Sequence, residues 1–325
     1  MVLSETGMKR DTYIDSVKTV LIFCVVLGHC LIRNGGGTID ENIALNFIYI
    51  FHMPLFVFVS GYLFNSERPW KKVLWGCLEL LLTYLLFQWI WLILNRTPIS
   101  FKQFAFPQFA LWYLLSLAFW RTMLKTIASI WSNKLIWLIL SFFLSVGFFF
   151  IPFGRVLSFQ RTFSFFPFFV TGVLCRNTIA VDYVRKIDKR LTVFVLIGLI
   201  IVLSQIGKPP FWLLTGRSTV YDYPFGIMVS LVVRGIWYMM VFIVSICILN
   251  LIPDTVGLAR NGGNTLPVYL LHFFPIWILQ RIGIRSDSLL VVSCWALAIT
   301  VTLLFSGKYH CIKILTNPLS LYHKK

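Results

Sequence analysis

Long runs of apolar residues, broken by short stretches that collect Arg, Lys, Gly and Pro, repeat along the whole chain. Crossing the hydrocarbon of a bilayer takes about 20 residues of helix, and the pattern predicts ten such helices. They run approximately 15 to 32, 43 to 64, 73 to 94, 104 to 120, 135 to 153, 162 to 175, 191 to 207, 226 to 252, 264 to 280 and 287 to 307. The runs are continuously apolar, without the alternation over roughly ten residues that marks barrel strands. The expected fold is therefore an all-α integral membrane protein, a polytopic bundle forming one membrane-embedded domain over residues 1–325. No internal repeat is visible.

Composition agrees with that reading: the chain is 58% hydrophobic and only 13% charged, with a mean hydropathy of +0.82. A single soluble core would neither need nor tolerate such a balance. The net charge of +17 would point to nucleic acid in a soluble protein. In this chain most cations lie in the loops between runs, where membrane lipid headgroups and topology account for them, so no nucleic-acid partner is expected. Lys and Arg favour one set of alternate loops by roughly two to one, which predicts cytoplasmic termini and a strongly cytoplasmic "CRNTIAVDYVRKIDKR" loop. The first run lacks a small-x-small cleavage site and is followed by further spans, so it is expected to be retained. Seven cysteines are scattered singly, without a Cys-x-x-Cys pair, and read as small buried residues; no metal is expected.

Ionisable residues inside membrane spans are costly and usually face a cavity lined by protein. Away from the span ends these are Lys18, His29, His52, Glu79, Arg234 and His272. From Lys18 to His29 a helix rises roughly 16 Å and turns only about 20° from a shared face. That suits a long anionic ligand whose charged head lies at one end and whose reactive end meets a base at the other. The plainer reading is that Lys18 snorkels to headgroups while His29 sits in interfacial water.

The string "YIDSVKTVLIFCVVLGH" resembles the opening of the membrane acyltransferase 3 family, in which a basic residue and a histidine are separated by ten residues and an Asp precedes the basic one. Asp15, Lys18 and His29 fit that pattern, and "VVLGH" resembles the fucose 4-O-acetylase-like branch. The strings "FHMPLFVFVSGYLF", "LWYLLSLAFWR", "RTFSFFPFFVTGVL" and "LPVYLLHFF" resemble the family's later signatures, in the family's order. Many relatives carry Arg where this chain has Lys18, and an ammonium lacks the bidentate fork that guanidinium offers a phosphate.

What the resemblance implies is O-acyl transfer, usually of acetyl, from cytoplasmic acetyl-CoA as co-substrate to a hydroxyl of a surface or secreted glycan or a lipid-linked sugar, by a multi-pass protein of the cytoplasmic membrane. The residues suit that chemistry. A histidine with an ordinary pKa near ~6.5 can take the proton of a sugar hydroxyl as it attacks a thioester, which makes His29 the candidate general base. Lys18 is the candidate for the CoA phosphates, with Asp15 either steering it or capping the helix. His272 either contacts the acyl-CoA or makes a packing hydrogen bond. Arg161 either meets a glycan oxygen or holds a lipid phosphate.

Other polar features carry two readings each. His52 in "HMPLF", expected somewhat deeper than His29, either shares the acyl-transfer site or marks a helix kink. Ser60 and Gly61 permit close helix approach. Glu79 and Arg234 are potential partners across the bundle. The loop "GKPPFWLLTGRSTVYDYPFG", with Arg217 and Asp222, is either a sugar-facing lid or an aromatic belt. The competing function is a transporter of an anionic lipid-linked sugar or metabolite. Its usual signs, repeated halves with Gly- or Pro-broken helices at matching positions, are missing from the sequence.

Overall fold

The computed structural model describes residues 11–34, 38–206, 211–224 and 226–316, and among these it is helical with no strand. The long elements are α1 (Thr12–Asn34), α2 (Ile39–Leu63), α3 (Trp70–Leu94), α4 (Trp112–Ile130), α5 (Lys134–Phe149), α6 (Phe159–Cys175) and α7 (Lys189–Ile206). They are followed by α8 (Ile227–Leu251), α9 (Thr265–Leu271), α10 (Phe273–Arg281) and α11 (Leu289–Ser306). Each of the ten apolar runs holds a helix. Five of them, α1, α2, α3, α8 and α11, are long and apolar enough to cross a membrane on their own. A sixth is reached if Val156–Cys175 and the short helix Ala180–Lys186, bent by 96° from it, count as one span.

Two runs depart from expectation, and proline accounts for both. The fourth helix begins at Trp112, not near 104, because Pro107 has no N–H for the ladder and disfavours helical backbone at Phe106. It then continues to Ile130, where Lys125 lies in its last turns and donates to the Ser66 carbonyl at 2.9 Å. The ninth run is not one helix but breaks at His272 between α9 and α10. Pro275 cannot donate to the Leu271 carbonyl four residues back, and the next bond, from Ile276 N–H to the His272 carbonyl, is stretched to 3.5 Å.

Helix starts follow local chemistry. The Thr38 hydroxyl accepts from the Glu41 N–H at the start of α2, and Asp40 and Glu41 in the first turn complement the positive end of the helix. Asn133 caps α5 in the same way.

Helix α1 sits at the centre: 67% of its apolar stretch is buried by protein, against 28% for α11. It packs on α2, α11, α9, α10 and the 256–264 segment. Helix α2 in turn lies along α6, with no room between them. A Cβ on Gly61 would stand 2.0 Å from the Phe169 carbonyl oxygen, and one on Gly172 would stand 2.0 Å from the Phe58 carbonyl oxygen. Backbone thus meets backbone, as small residues allow in membrane bundles. The remaining apolar surface faces outward, with Phe143, Phe194 and Leu290 more than two thirds exposed, as lipid contact requires.

Candidate active site

The C-terminal half of α1 brings His29 against the break between α9 and α10. Its ring centroid lies 5.3 Å from that of His272 and 4.6 Å from that of Phe273. Among the described residues the His29 ring nitrogens have no hydrogen-bond partner. His272 is fully buried, and its Nδ1 lies 2.9 Å from the Val268 carbonyl oxygen, which can only accept. Nδ1 therefore carries a proton, and the opposite nitrogen, Nε2, is buried without a partner among the described residues. His52 is built the same way: Nδ1 donates to the Ile48 carbonyl at 2.7 Å, and the ring edge packs on Tyr49. Two helices thus use their own carbonyls to fix a histidine tautomer.

His29 and His52 line a cavity of about 500 Å³, within the size range of small-molecule sites. Four guanidinium groups, those of Arg33, Arg161, Arg217 and Arg285, line it as well, and among the described residues no Asp or Glu does. Arg161, at the start of α6, is 8% exposed, lies 4.6 Å above the Trp112 ring and has a buried Nε without a partner. Arg33, one turn beyond His29, sits 4.5 Å over Phe109 and donates to Gln280 at 3.1 Å. Arg217 and Arg285 are exposed at the rim. Part of its lining is aromatic: Tyr269 donates its hydroxyl proton to the Ala110 carbonyl and Phe273 packs on Phe109, with Trp91 behind them stacked on Phe274.

Backbone strain gathers at the same place. Of the five described residues other than glycine with positive φ, three are Phe109, which lines the cavity, and Leu157 and Ser158, which immediately precede α6 and Arg161. Each such position costs about 1–3 kcal/mol and persists only where the surroundings enforce it. Leu157 is held by its N–H bond to the Ala105 carbonyl at 2.7 Å.

Of the residues singled out from sequence, His29, His272 and Arg161 come together, and His52 joins them. Lys18 and Asp15 do not line this cavity; they form an ion pair at 2.8 Å near the other end of α1. Arg234 does not meet Glu79. It donates to the Ser218 and Ser164 hydroxyls at 3.3 and 2.5 Å and lies against Trp237 and Tyr238. The 211–224 segment does face the cavity through Leu214, Thr215 and Arg217. Asp222 is instead spent on its own turn, accepting from the Thr219 N–H and hydroxyl. Ser60 is hydrogen-bonded to the Tyr113 hydroxyl. Among the described residues no cluster of three or more His, Cys, Asp or Glu side chains is placed to hold a metal ion.

Sequence reasoning misses Arg33 and Arg285. Arg33 carries a usable signal, since four residues after His29 is the same helix face. Arg285 lies in the short link between α10 and α11, and only the tertiary fold brings it to the cavity.

The acyltransferase 3 family, described as an acyltransferase domain, matches residues 11–307, and the chain belongs to it. No individual curated protein and no solved structure gives a significant match. The protein is thus a multi-pass membrane acyltransferase.

Proposed function

We propose, from the premise of that membership, that the protein is an O-acyltransferase, specifically an O-acetyltransferase, using cytoplasmic acetyl-CoA and a hydroxyl of a cell-surface or secreted glycan, or of its lipid-linked precursor. The observation that carries this reading is the meeting of His29, His52 and Arg161 at one cavity, with His272 packed against His29 from behind the lining. We further take all ten helical runs as crossing the cytoplasmic membrane with both termini inside, on the two-to-one bias of basic residues. The cavity then opens to the outer half, and the Asp15–Lys18 end of α1 faces the compartment that makes CoA.

In the reaction, His29 takes the proton of the acceptor hydroxyl while the hydroxyl oxygen attacks the thioester carbonyl carbon. The adduct collapses with cleavage of the carbon–sulfur bond. The CoA thiolate leaves and takes up the proton that His29 received, so that an ester and a thiol replace a thioester and an alcohol. His272, fixed through Nδ1, keeps Nε2 free beside His29, their ring centroids 5.3 Å apart, as an acceptor for a proton on the His29 ring when the site is loaded. Lys18, already steered by Asp15, supplies the cation for a CoA phosphate at the far end of the same helix.

The test is acetyl-CoA turnover by protein purified into nanodiscs. His29→Ala should lose roughly a hundredfold or more in rate, the scale of a missing general base, while acetyl-CoA still binds. Full activity in that variant would remove His29 from the chemistry. Uptake of an anionic sugar without acyl transfer, unaffected by the substitution, would favour a transporter.

A further inference from the structure

Four guanidinium groups around one cavity, with no carboxylate among its lining residues, is an arrangement that a protein without a bound anion should avoid. Burying a cation costs several kcal/mol unless something pairs with it. Arg161 is more than nine-tenths buried, and its Nε has no partner. Among the described residues, neither Arg161, Arg217 nor Arg285 donates a hydrogen bond or joins an ion pair, and only Arg33 is engaged, through neutral Gln280. A second, smaller cleft continues from Arg161 and Arg217 to Arg155, so the cationic lining extends past the rim. The strained residue Ser158 lines that cleft too, so the backbone there is held out of its relaxed form beside the unpartnered cations.

We infer that the acceptor sugar is acidic: the residue that receives the acyl group carries, or is directly joined to, a carboxylate or a phosphate ester, which Arg161, Arg217 and Arg285 bind beside His29. The inference rests on the O-acyltransferase reading. A neutral sugar is held chiefly by carboxylate and amide acceptors matched to its hydroxyl protons, and among the described residues lining this cavity Gln280 alone is of that kind, beside the hydroxyls of Thr215, Tyr49 and Tyr269. Guanidinium offers donors alone, in a planar fork that matches the two oxygens of a carboxylate or phosphate. The CoA phosphates are the other anions in the reaction. Their cation is Lys18 at the opposite end of α1, roughly 16 Å of helix rise from His29. An anion at Arg217 and Arg285 therefore belongs to the acceptor.

The experiment is thermal unfolding of the purified protein in phosphatidylcholine nanodiscs, titrated with glucuronate, glucose 6-phosphate or glucose, without and with saturating CoA. Protection by glucuronate, by glucose 6-phosphate or by both, with none from glucose and with the same half-saturating concentration when CoA is present, is the expected result. Whichever anion protects identifies the group. Arg217→Gln, at the exposed rim where folding is not at stake, should raise that concentration about tenfold or more, and Arg161→Gln should do so at least as strongly. Protection that glucose matches, or that no probe gives, overturns the inference. Loss of protection in the presence of CoA would assign the arginines to the donor and overturn it as well. Loss of protection when phosphatidylglycerol replaces part of the phosphatidylcholine would assign them to a lipid headgroup, with the same consequence. No acyl transfer is involved in this measurement, so its failure leaves the His29 test standing, and failure of the His29 test leaves this one readable.

Discussion

The N-terminal end of α1 and the cavity-facing part of its C-terminal end treat their polar groups in opposite ways. At the N-terminal end nearly every group has a partner. The Tyr13 hydroxyl donates to the Leu249 carbonyl at 2.5 Å, Ser16 to Thr255 at 3.2 Å and Thr19 to Leu258 at 2.9 Å, and Lys18 pairs with Asp15. Gly262 presses so closely that an added Cβ would lie 2.5 Å from the Asp15 carbonyl oxygen. At the C-terminal end Arg33 and Asn34 are hydrogen-bonded, but His29 faces His272, whose Nε2 is unpartnered among the described residues, and the described residues lining the cavity beside them include cations and no anion. Satisfied polar groups hold a helix in place, whereas unsatisfied ones at a buried site wait for a ligand. One helix thus serves as anchor at one end and as chemistry at the other.

That contrast is sharpest at His272. His272→Phe keeps a ring against Phe273 and His29 but removes both nitrogens, and it should lower turnover between tenfold and a hundredfold with little change in melting temperature. A loss of stability as large as the loss of rate would instead make His272 a packing residue. Gly262→Ala attacks the anchor. Forcing a methyl into the Asp15 backbone should cost about 1–3 kcal/mol, read as a lower melting temperature of the detergent-solubilised protein. A variant as stable as the wild type would show that the N-terminal end is looser than its contacts imply. The smallest effect is expected at Lys18. Lys18→Ala should weaken acetyl-CoA binding about tenfold, near 1.4 kcal/mol, and Lys18→Arg should restore most of it. Equal affinity in all three proteins would confine Lys18 to its ion pair.

Much of this architecture is legible in the amino-acid sequence, and the limits are physical. Each apolar run marks where a helix lies, because crossing a bilayer demands long apolar stretches, although five of the described helices, or six with the bent pair, are long and apolar enough to cross on their own. The alignment of Lys18 with His29 and the pairing of Lys18 with Asp15 follow from helical repeat alone. The break at His272 has a signal in Pro275, but a proline inside an apolar helix is tolerated in membranes often enough that its effect depends on its neighbours. The cationic cavity is only partly legible. Arg161 and Arg217 are visible as candidates, yet their convergence with Arg285 depends on how α6, the 211–224 segment and the α10–α11 link fold back on one another. Such contacts across many residues leave no periodic trace in sequence.

The glycine contact between α2 and α6 has a consequence for how the protein can be re-engineered. Helix α2 carries His52 and α6 carries Arg161, and the two backbones touch at Gly61 and Gly172 with no side chain between them to trim or enlarge. The distance between these two walls is therefore a fixed dimension of the scaffold, closed to adjustment by ordinary substitution. Selectivity for a different acceptor has to be tuned at the rim, through Arg217 and Arg285, where exposed side chains can be exchanged without disturbing the frame.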